Sequence, residues 1–140
     1  MSGIAYRQDQ EPPYPALRIE LSYSGRAYVC EGKVDTGASR TCVPAGVLNE
    51  VGARRVRPAV LRGYDGAARD AWTYYVTIQV VEPGWVEGVP ARFEDIPVCG
   101  IPAGEFSMTP EVLIGRDLLR TWSLLLEGPR DTLQVQPSRG

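Results

Sequence analysis

Asp35 stands between the strand-like run "AYVCEGKV" and the small residues Thr36, Gly37, Ala38 and Ser39. Two readings fit this stretch. Asp-Thr-Gly is an ordinary turn sequence, because Asp and Gly both suit tight backbone geometry. It also suits a carboxylate held at the end of a strand, where it can act as an acid or base. The chain contains no histidine. That absence removes the base from Ser-His-Asp and Cys-His nucleophile systems, and the ligands from His-bound zinc sites. If the chain is an enzyme, carboxylates are the leading candidates for acid and base.

The three cysteines, Cys30, Cys42 and Cys99, are odd in number and show no CxxC spacing. Neither a disulfide framework nor a zinc site is expected, and no metal or other cofactor is implied. Cys42 is read as a small core residue, since a cysteine nucleophile here has no histidine to activate it. A reducing, cytoplasmic setting is the default expectation.

At 140 residues the chain has the size of one domain and can bury a core without staples. Its formal charge of −2 lacks the basic footprint of nucleic-acid binding. The densest basic cluster, Arg54, Arg55 and Arg57, reads as a solvated loop. No apolar run approaches the ~20 residues that cross a bilayer. The first residues lack the charged and apolar regions of a signal peptide. Neither nucleic acid nor membrane is an expected partner.

The elements that must hold Asp35 follow from periodicity. Residues 1–15 are polar and proline-bearing, and read as a flexible or extended arm; residues 16–140 read as a single domain. Leu17, Ile19 and Leu21 alternate with Arg18, Glu20 and Ser22, a Ser24-Gly25 turn follows, and "AYVCEGKV" returns to Asp35 as a second strand. "RTCVP" is a short strand, and "AGVLNEVG" makes one or two helical turns ended by Gly52. A long hairpin follows, turning at Gly63, Asp65 and Gly66. On its return arm Trp72, Tyr74, Val76, Ile78 and Val80 keep a period of two. Residues 82–110 are rich in Gly and Pro and read as a long loop, with "DIPVCGI" as its one possible strand. "EVLIGRDLLRTW" runs from an apolar strand into a helical turn, and "SLLLEGPRDTLQV" closes as a hairpin. The class is mostly β, with one or two short helices.

Alone, neither Asp-Thr-Gly nor "VLIGRDLL" is specific. Together, in this order and with a glycine-bearing hairpin between them, they are. With "VDTGAS" at 34–39, "LRGYDGA" at 61–67 and "VLIGRDLL" at 112–119, the sequence resembles the retroviral-type (retropepsin-like) aspartic proteases over roughly residues 17–136. The resemblance implies a closed β-barrel of the acid-protease fold. It implies a peptide or protein substrate and a homodimer in which each chain supplies one Asp35. Asp35, Thr36 and Gly37 would form the catalytic loop, Thr36 bonding across to its counterpart. Ala38, Ser39, Val112 and Leu113 would touch substrate, as would a flap tip of Gly63, Tyr64, Asp65 and Gly66. Gly115 would allow close packing on the active-site loop, and Arg116 would be structural behind it.

The match departs from many retroviral members at Ser39, where an acidic residue usually pairs with the motif arginine. The 82–110 segment is also longer than a minimal viral protease has. Two other readings stay open: a pepsin-fold dimer that binds peptide or protein without cleaving it, and a regulatory or assembly domain cut from a larger polyprotein.

Overall fold

The structure, a computed structural model, describes residues 3–62, 66–102 and 112–137. Strand β1 (Ile4–Ala5) precedes β2 (Ala16–Tyr23). In β2 Leu17, Ile19 and Leu21 are fully buried while Arg18 is exposed, as alternation requires. Ser24 and Gly25 both take positive φ, 47° and 83°. That pair makes a two-residue turn whose twist matches a hairpin, so β3 (Arg26–Val34) returns in register from Tyr23↔Arg26 to Ala16↔Lys33. Gly32 on β3 is buried because the Ile114 side chain covers it. A Cβ there would lie 2.7 Å from Ile114 Cδ1.

Next come β4 (Cys42–Pro44), α1 (Ala45–Glu50), β5 (Arg55–Arg62), β6 (Ala68–Val80), β7 (Arg92–Ile101), β8 (Val112–Ile114) and α2 (Arg116–Leu119). Strands run in the order β2-β3-β8-β4-β7-β6, and β6 pairs back onto β2. Six strands therefore close into a barrel, filled by Leu17, Ile19, Val43, Ile78, Val98 and Ile114. The class is mostly β with two short helices. β5 extends outward as the second arm of the β5–β6 hairpin. Arg55 and Arg57 belong to this exposed strand rather than to a loop; Arg55 lies over Trp72 and Arg57 over Tyr75.

The 82–110 segment is less loop-like than its composition suggests. β7 begins at Arg92 and runs ten residues against β6 and β4. Its period is hidden by a bulge: the register shifts between Val76 and Ile78, where Asp95 takes a φ of 48° and its N–H donates to Thr77 Oγ1. One extra residue moves every later side chain to the opposite face.

A second sheet of β1, β10 (Thr132–Pro137) and β9 (Trp122–Glu127) packs on the barrel through Trp122, Leu133 and Val135. The N-terminal segment thus contributes a strand. Arg7 then ties it down, donating from Nε to Glu31 Oε2 at 2.9 Å and from Nη2 to Glu82 Oε1 at 2.8 Å. Burial opposes the Arg7 charge, but these bonds and the two carboxylates outweigh it and raise its pKa.

Candidate active site

Asp35 follows the last residue of β3, and its loop is held by backbone bonds on both sides. Its N–H donates to Ile114 O at 3.0 Å, and its carbonyl accepts from the Ala38 N–H at 3.2 Å. The Ala38 carbonyl in turn accepts from the Arg116 N–H at 2.9 Å. Inside the loop the Gly37 N–H donates to Asp35 Oδ1 at 2.9 Å, which fixes the carboxylate's direction. Asp35 is half-buried, whereas Thr36, Gly37 and Ser39 are exposed. This is a carboxylate aimed and still reachable.

The loop's exit is locked by side chains. The Thr41 N–H donates to both Asp117 oxygens at 3.0 Å, and its hydroxyl donates to Oδ1 at 2.8 Å. Thr41 Oγ1 accepts from the Gly115 N–H at 3.2 Å, and Asp117 Oδ1 also accepts from the Leu118 N–H at 2.9 Å. Thr41 is fully buried, so these bonds satisfy polar groups that water cannot reach. Gly115 presses on the same point: a Cβ there would lie 2.5 Å from the Arg40 carbonyl carbon. The side-chain bonds behind the loop are thus made by Asp117. The Arg116 side chain is exposed, and the residue is bonded into the loop by its backbone N–H. Sequence reading missed Thr41 and Asp117. The available signal was a polar Asp117 in the first turn of a helix whose Leu118 and Leu119 are buried.

Beside the loop lies a small apolar cluster separate from the main core. Cys42, Ala71 and Cys99 form it, flanked by Leu113 and by Ala59 and Leu61 of the hairpin stem. The Cys42 thiol feels the charges of Asp35 and Asp117, which places the cluster next to the carboxylate. Leu113 belongs here. Val112, its expected companion, is instead buried in the main core. Of the expected hairpin tip, Gly63, Tyr64 and Asp65 lie outside the described residues. Gly66 is exposed with a φ of 75°.

No family model matches the chain, and no curated protein matches it. Solved structures do. The EIAV protease, bound to an inhibitor, matches at a TM-score of 0.50 and 19% identity, over 81% of this chain and 91% of that one. The fold is that of the retroviral proteases. A foamy viral protease–reverse transcriptase in complex with double-stranded DNA matches at a TM-score of 0.50 and 18% identity. The match covers 78% of this chain and only 16% of the foamy viral one. Within this fold the Asp35 loop is bonded to β8 and α2, and the stem of the β5–β6 hairpin meets β8 at the Cys42–Ala71–Cys99 cluster.

Proposed function

We propose that the chain is an aspartic endopeptidase that works as a homodimer, each copy supplying one Asp35. The observation that carries this reading is the aimed, half-buried Asp35 carboxylate in a loop bonded to β8 and α2. Hydrolysis without a nucleophilic side chain needs one group to take a proton from water and another to give one to the carbonyl oxygen. Two carboxylates about 3 Å apart do both, because they cannot easily ionise together and share one proton; aspartic proteases are the standard case. With one Asp35 loop per chain, a two-fold axis between identical copies brings the pair together. β9 pairs only with β10 among the described residues and exposes Leu125 and Leu126. An apolar free edge of this kind suits a second copy.

The β5–β6 hairpin serves as the flap, closing over an extended peptide and excluding water. Ala38, Ser39 and Leu113 line the substrate's path. Cleavage of a diverse peptide mixture, read by mass spectrometry at acid to neutral pH, tests the proposal. Wild type should cut and Asp35→Asn should not, with its fold retained. Equal cleavage by both places the chemistry elsewhere. No cleavage by a proven wild-type dimer favours the alternative, a dimer that binds peptide or protein without cutting it.

A further inference from the structure

Cys42 and Cys99 are direct partners in the parallel pairing of β4 with β7. Both are buried, both are free thiols, and both side chains enter the cluster against Ala71. Adjacent strands lie about 4.8 Å apart. That spacing falls inside the roughly 4.4–6.8 Å that a disulfide spans between Cα atoms. We propose that this pair is a thiol–disulfide site, oxidised by a small-molecule disulfide to a bond that ties β4 to β7 beside the Asp35 loop.

The surroundings assign the two sulfurs different roles. The Cys42 thiol donates to the Arg40 carbonyl at 3.4 Å. The neighbouring Cys42 thiol and the positive charge of Arg40 lower the Cys99 pKa against the effect of burial. The neighbouring Cys99, burial, and the charges of Asp117 and Asp35 raise the Cys42 pKa. The thiolate is the nucleophile in exchange, and the Arg40 charge favours that of Cys99, so Cys99 attacks first. Its thiolate attacks one sulfur of the small disulfide and expels one thiolate, leaving a mixed disulfide on Cys99. Cys42 then attacks the Cys99 sulfur and expels the second. The two cysteine protons pass to the two thiols released, and the electrons lost by the pair reduce the small disulfide.

Cys30 is a built-in control. It sits on β3 away from the pair, and burial with the nearby Glu31 charge pushes its thiol up to about 11. Intact protein is incubated with oxidised glutathione until no further change occurs. It is then unfolded, alkylated and digested. The expected product is a Cys42–Cys99 linked peptide, lighter by two hydrogen atoms, with Cys30 alkylated. The oxidised protein should also melt at a higher temperature than the reduced one. Folded Cys30→Ser should give the same link, and folded Cys99→Ala should give none. Full alkylation of Cys42 and Cys99, or glutathione attached only at Cys30, overturns the proposal. The readout is a covalent bond, so it stands apart from whether the chain cleaves peptides.

Discussion

Thr41 and Asp117 are bonded three times over: the Thr41 N–H reaches both carboxylate oxygens, and its hydroxyl reaches one of them at 2.8 Å. The residues are 76 positions apart, so the bonds join the strand leaving the Asp35 loop to the helix behind it. Asp117→Ala leaves two buried donors of Thr41 without that acceptor. At about 1–3 kcal/mol for each group left unpaired, the variant should lose roughly 2–6 kcal/mol. Urea unfolding measures it. Asp117→Asn, which retains one oxygen acceptor, should lose less. A loss below half a kcal/mol (about 0.5) in the alanine variant would show that the network does not hold the loop.

Gly115 should tolerate no side chain. A Cβ at 2.5 Å from the Arg40 carbonyl carbon and 2.8 Å from the Thr41 nitrogen meets backbone, which cannot rotate away. Gly115→Ala should destabilise by about 1–3 kcal/mol, the usual cost of overpacking. It should also reduce cleavage in the fraction that remains folded, because the displaced segment follows Asp35. Unfolding curves and activity per folded protein check the two effects separately.

The barrel strands were legible where burial on one face left a clean period of two, as in Leu17, Ile19 and Leu21, or Tyr74, Val76 and Ile78. β7 was legible only from Asp95 on, as "DIPVCGI"; its first residues were not, because the bulge at Asp95 breaks the alternation part-way. β1 was hidden for another reason: two residues carry no periodicity, and its pairing with β10 is a contact across nearly the whole chain. The place of Asp35 at the end of β3 was legible from the strand before it and the turn residues after it. Thr41 and Asp117 were not, since their importance lies in a partner far away in sequence. Arg116 drew its structural role from the resemblance alone, while the side-chain bonds behind the loop belong to Asp117.

Arg7 should anchor the N-terminal segment. Its side chain meets Glu31 and Glu82, and Glu82 Oε1 also accepts the Arg18 N–H at 2.9 Å. Arg7→Met keeps the apolar stem and removes the charged donors. The expected loss is about 1–2 kcal/mol, typical of part-buried charged hydrogen bonds. Hydrogen exchange should quicken at the Tyr6 N–H, which donates to Asp131 O at 2.8 Å. Unchanged exchange there would separate the arm's order from the Arg7 bonds.

Cys30 sets a sign for stability against pH. Its folded thiol is pushed up to about 11 by burial and the Glu31 charge, so the folded state holds this proton more tightly than the unfolded one. Its contribution is fully present below the unfolded thiol's value of about 8.5 and is lost as pH rises through the folded value. Wild type should therefore lose more stability across that window than Cys30→Ala. Parallel urea midpoints for the two proteins would contradict the assignment.

Mixing should reveal whether two Asp35 residues share one site. If the active unit is a dimer, dilution below its dissociation constant makes the rate fall with the square of protein concentration, because active species form from two copies. Leu125→Arg, on the exposed edge of β9, should move that fall to higher concentration, and sedimentation should show more monomer. Asp35→Asn adds a sharper test. At high concentration an equal amount of this variant draws about half of the wild-type chains into mixed dimers with one carboxylate. Those dimers lack the second member of the proton-sharing pair, so the activity of a fixed amount of wild type should drop by about half. A monomeric enzyme would keep its full rate in the same mixture. Subunit exchange can be confirmed beforehand with one partner isotopically labelled, so an unchanged rate after proven exchange would rule out the shared pair.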